Sequence, residues 1–185
     1  MSDVMLGIGL STGHFFHAPA GTAFPTYPSA TLAAAWKKVG DVTQDGITLA
    51  TDKSTEMLKN WANVIKRVIL SDHSETIQAP IMDTTEEVLK TVLGEDNVSV
   101  VPANSAHGEL IKAELSSSEL PPEECFLFLM KDGDKMISLA CKGQIQSMES
   151  VTFAPGSSVN WTPTITVLDN SLEMIVDDGE VGSSS

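Results

Sequence analysis

The chain has 185 residues, 25 acidic against 11 basic, for a formal net charge of −14, and 42% of its residues are hydrophobic. These totals suit one domain with a real core and exclude a disordered acidic polymer, and no apolar run approaches the ~20 residues that cross a bilayer. The charge has the wrong sign for gripping a phosphate backbone, and copies of the chain repel one another, so any assembly has to draw on backbone pairing and apolar contact.

The opening MSDVMLGIGLSTGHFF carries no Lys or Arg ahead of its short apolar stretch, so no secretory signal is expected and assembly in a cytoplasm is the default. Residues 2–27 are rich in Gly, Pro, Ser and Thr and predict an extended arm. Residues 41–60 show no period, with a turn at Asp45-Gly46, and predict a long loop of the kind that partners order. Between residues 62 and 82, VIKRVIL and ETIQAPIM predict two strands joined by a turn at residues 71–74. A helix is predicted near residues 84–93: Thr84 caps it, Glu87 closes a capping box, and Val88, Leu89, Val92 and Leu93 share one face ahead of Gly94.

Further strands are predicted near residues 98–101, 109–115, 125–130, 136–141, 151–153 and 164–168, which makes the chain mainly β. The 131–135 stretch, KDGDK, is a hairpin turn; a three-residue loop sets Cys125 opposite Cys141, and a two-residue loop shifts that pairing. Both cysteines read as buried thiols of a reducing compartment. Residues 177–185, acidic and then Ser-rich, predict a flexible tail. No internal repeat divides the chain.

No catalytic constellation is found: there is no Gly-x-Ser-x-Gly elbow, phosphate-binding loop, dinucleotide fingerprint or Cys-x-x-Cys. His14 and His17, three apart in an extended segment, point to opposite faces and make an awkward metal pair. The acidic turn at residues 132–134 lacks the further oxygen ligands of a calcium loop. No cofactor, metal site or enzymatic activity is expected. Trp36, Trp61 and Trp161 read as packing anchors, with Trp61 also placed to meet a neighbour.

In order and wording, FFHAPAGTAFPTYPS, AAWKKVGDVTQDGIT, STEMLKNWANVIKRVI and MDTTEEVLKTVLGEDNV resemble the major tail tube proteins of long-tailed, siphovirus-like bacteriophages, and VTFAPGSSVNWTPTITVLD continues the likeness more weakly. The resemblance implies a single domain over residues 1–185, built as two packed, near-orthogonal sheets (a β-sandwich or partial barrel) with one flanking helix. It further implies hexameric rings stacked into a tube that carries the genome into the host. The arm (1–27), the long loop (41–60, between rings) and the tail (177–185) would then reach neighbours, with His14, Phe15, Phe16, Asp45, Asp52, Glu56, Trp61, Asp177 and Asp178 as candidate inter-subunit contacts. The implied partners are the chain itself, a tape measure protein, a tail terminator and tip or distal tail proteins; DNA is only in transit, no membrane is involved, and the location is the virion. The alternatives are the tube of a phage-derived particle and, from another class, a monomeric β-barrel holding a small apolar ligand.

Overall fold

The computed structural model describes residues 7–10, 14–116 and 118–179. In chain order the elements are β1 (Ile8–Gly9), β2 (Phe15–Pro19), β3 (Lys37–Lys38), β4 (Thr48–Lys59), β5 (Ile65–Gln78), α1 (Glu86–Leu93), β6 (Val98–Val101), β7 (Leu110–Ala113), β8 (Glu124–Asp132), β9 (Lys135–Met148), β10 (Pro163–Val167) and β11 (Glu173–Asp177). One large sheet runs β3-β2-β8-β9-β10-β5-β4, with β1 also on β8 and β11 also on β9, while β6 and β7 form a small second sheet. The fold is therefore mainly β with one flanking helix, as the sequence predicts, and the described strands do not close into a barrel.

Period-two alternation decides which way each strand faces. Phe15, Phe126, Phe128, Leu139, Cys141, Ile145, Ile165 and Ile77 point to one side, where Val88, Leu89 and Val92 of α1 and the Trp161 ring complete the core. Phe15 stacks on Phe128 with ring centroids 4.5 Å apart, and each such side chain withdrawn from water contributes about 1.5–3 kcal/mol. On the other side Ala18, Cys125, Leu127, Leu129 and Ala140 are covered by Trp36, with Phe24 and Leu32 packed around it. That lid spans only the β2-β8-β9 half of the sheet, and among the described residues no second apolar cluster covers the same side of β10-β5-β4.

Several local expectations are corrected. Residues 15–19 of the predicted arm are a strand between β3 and β8 of the chain's own sheet, held there because alternate residues fill both cores. Residues 1–6, 11–13 and 180–185 of the predicted arm and tail lie outside the described residues. The predicted loop at 41–60 is mostly β4, and the predicted turn at 71–74 lies inside β5, because the two long strands pair with each other from Thr48↔Gln78 to Lys59↔Ile65. Residues 151–153 form no strand, and β11 overlaps the start of the predicted tail. The helix cap is Thr85, whose Oγ1 accepts the Val88 N–H at 3.4 Å, while Thr84 Oγ1 accepts from Trp161 Nε1 at 3.0 Å. One residue out of register for a capping box, Glu87 instead lies 3.5 Å from His17 Nε2, and His17 Nδ1 donates to Glu124 at 2.9 Å, so one imidazole ties β2 to the helix and to β8.

Candidate assembly surface

Among the described residues the β4–β5 hairpin is the longest stretch without cover. Residues 48–72 are all exposed, and a two-stranded ribbon alone is marginal in water. Twelve residues of β4 at ~3.4 Å per residue make an arm of roughly 40 Å. The pairing shifts between Ser54 and Thr55, where Ser71 is extra on β5. This bulge changes which side chains share a face. Beyond it Thr55↔Leu70 and Met57↔Val68 are direct pairs, and a second shift between Leu58 and Lys59, where Lys66 is extra, brings Lys59 opposite Ile65, so Leu70, Met57, Val68 and Ile65 form one apolar stripe, each exposed.

At the tip, Asn60 Oδ1 accepts the Val64 N–H at 2.9 Å, and the Asn63 N–H donates to the Asn60 carbonyl at 2.9 Å. Asn63 turns the chain at φ 59°, a left-handed geometry that asparagine tolerates better than most residues. Trp61 stands at the apex with a relative exposure of 105%. The outer part of the arm inverts the chain's charge: Lys53, Lys59, Lys66 and Arg67 against Glu56 leave residues 53–69 at +3, so the rest of the chain, Asp52 and Asp72 at the arm's root included, carries −17.

A second surface is the uncovered side of β10-β5-β4. Ile165 and Ile77, paired across the ladder, face the core, so their neighbours face outward. Thr164 pairs with Gln78 and Thr166 with Thr76 and Gln144, and β4 adds Thr48, Ala50, Asp52 and Ser54 beside Gln78, Thr76, Ser74 and Asp72. Apart from the Ala50 methyl, these positions hold hydroxyls, amides and carboxylates, and no Lys or Arg. The next residue on this side of β9, Lys142, donates to Asp169 and ion-pairs with Glu123, each at 2.9 Å. Those carboxylates, Asp169 first, hold its ammonium pKa well above the ordinary lysine range; its charge is more than offset.

The candidate contact residues separate by environment. Trp61, Glu56 and Asp52 stand on the arm, and Asp45 is exposed just before it. Phe15 is 0% exposed in the chain's own core. Phe16 is half-buried against the second core. His14 is held inside the chain, its Nε2 accepting the Val42 N–H at 2.7 Å and its Nδ1 donating to the Leu10 carbonyl at 3.2 Å. Asp177 ends β11, where its Oδ1 accepts the Gly179 N–H, and Asp178 is exposed beside it. The apolar stripe escapes a reading along the sequence, because the two bulges that create it depend on the partner strand, whereas the positive charge of residues 53–69 is legible there. Among the described residues no group of three or more His, Cys, Asp or Glu is placed to hold a metal, and no described helix is long and apolar enough to cross a membrane.

A family model described as phage tail tube protein matches residues 8–177. No curated protein matches the chain.

Proposed function

The chain belongs to the phage tail tube protein family, and from that premise we propose that it forms hexameric rings, stacked into the tail tube that conducts the genome into the host. The observation that carries this reading is the bare arm, whose apolar stripe none of the described residues covers. Such a ribbon is tolerated where another copy covers it and is an aggregation hazard otherwise.

The uncovered side of β10-β5-β4 lines the bore. DNA has to slide past it without sticking, and each lysine or arginine that paired with a phosphate would add counterion-release affinity, repeated at every ring. A wall of Thr, Ser, Gln and Asp avoids that. In this role the chain works with a tape measure protein, a terminator and tip proteins, assembles in the host cytoplasm and resides in the virion, with DNA as a passenger. Negative-stain imaging of the concentrated protein tests the reading: hollow tubes or rings support it, and compact single-chain particles at every concentration reject it.

A further inference from the structure

Beside the root of the arm lies a cavity of about 410 Å³, with Ile8, His14, Val42, Gln44, Phe128 and Met130 in its wall. Cavities of ~300–1,000 Å³ accept drug-sized molecules, so an indole fits. The wall contains no Asp, Glu, Lys or Arg, and its one titratable side chain, His14, is fixed by hydrogen bonds to Val42 and Leu10. Two other cavities among the described residues carry carboxylates, Asp45 and Glu149 in one and Glu114 and Glu119 in the other. The arm tip is equally free of charge from Asn60 to Ile65.

We infer that Trp61 of one copy docks into this cavity of a second copy, an inference that rests on the tube reading above. Three observations select this occupant. The cavity wall includes Gly46 and Ile47, which immediately precede β4. Trp61 lies at the far end of a ribbon roughly 40 Å long, beyond reach of the cavity in its own chain. Donor and acceptor are thus different parts of the molecule, which makes the contact heterologous and able to propagate into rings or filaments.

Charge supplies the third observation. Lys59, Lys66 and Arg67 flank the neutral tip, and Asp45, between the wall residues Gln44 and Gly46 in sequence, lines the adjoining cavity that shares Gly46 with this one. Two copies at −14 each repel as wholes, but the +3 of residues 53–69 approaching the −17 carried by the rest of a second copy attracts. Steering of this kind selects orientation, while the desolvated aromatic holds the contact.

The test uses full-length chains and cysteine trapping under mild oxidation. Ala62→Cys, which leaves Trp61 in place, is mixed with Gln44→Cys; a second mixture pairs Ala62→Cys with Leu115→Cys, in the Glu114/Glu119 cavity. The inference expects tubes whose first mixture yields a disulfide-linked dimer and whose second does not, and a Trp61→Ala chain that folds normally but needs at least 10-fold more protein to assemble. Tubes without the Gln44 cross-link, or with the Leu115 cross-link in its place, overturn the inference and leave the tube reading standing. An intrachain link between Asp3→Cys and Gln44→Cys in tubes, with Ala62→Cys free, identifies the chain's own leading segment as occupant and overturns it too. Failure of the unmodified chain to form tubes or rings under any condition rejects the tube reading itself.

Discussion

Cys125 and Cys141 face opposite sides of one ladder: Cys125 pairs with Lys142, and Cys141 with Phe126. The β8–β9 turn is the two-residue loop Gly133-Asp134, since Asp132 pairs with Lys135, and Gly133 takes it round at φ 61°. Each thiol therefore belongs to a different core, Cys125 beneath Trp36 and Cys141 beside Ile145, and no rotamer joins them without breaking the ladder. Non-reducing mass measurement of purified tubes is predicted to find both as free thiols.

Burial pushes the Cys141 thiol up to about 12 from its ordinary 9.0, with Cys125 and Glu75 adding to the rise. A raised folded-state value means the unfolded chain loses this proton first, so the contribution is intact below about pH 9 and is lost as pH climbs toward 12. Between those limits the single group is worth up to about 1.4 kcal/mol per pH unit. Urea unfolding between pH 9 and 11 should show a shallower alkaline loss for Cys141→Ala than for the unmodified chain. Parallel slopes would remove the thiol from the account.

Gly143 leaves no room for a side chain between β9 and β10: a methyl group there would come within 2.6 Å of Ile165 Cγ2 and 2.9 Å of the Thr166 carbonyl oxygen. Gly143→Ala is predicted to destabilise the fold by about 1–3 kcal/mol, measured by denaturant unfolding of the monomer.

Met57 and Val68 pair on the exposed stripe, so Met57→Glu and Val68→Glu are predicted to change monomer stability by less than about 0.5 kcal/mol. The same variants should lose assembly, because a carboxylate buried at an interface without a partner is costly. Sedimentation velocity and urea unfolding on the same samples check both halves. Variants that assemble normally would mean the stripe stays in water.

The strands that cover a core were legible because one buried face imposes alternation: Ile165 between Thr164 and Thr166 is visible in the sequence and in the structure. The arm was not. With both faces exposed, β4 and the middle of β5 carry no period, and Ser71 to Ser74 read as a turn although they continue a strand. The true turn, Asn60-Trp61-Ala62-Asn63, holds two asparagines suited to it, yet the irregular spacing on its β4 side concealed it. Trp61, Glu56, Asp52 and Asp45 were legible as exposed positions, as the structure has them, whereas Phe15 could not be told from an exposed anchor until its partner strand β8 was in place. The cavity and the cation-free face join residues far apart in the chain, and only strand pairing reveals them.

The central claim is that this chain builds a conduit whose bore is the Thr-, Gln- and Asp-bearing side of β10-β5-β4. An electron cryomicroscopy reconstruction of the assembled protein tests it most directly. The account predicts a hollow tube with Thr164, Thr166, Thr76, Gln78 and Asp52 on the inner wall, where Asp and Glu outnumber Lys and Arg. A tube with this face turned outward, or with basic residues equal to or exceeding acidic ones along the bore, would contradict it.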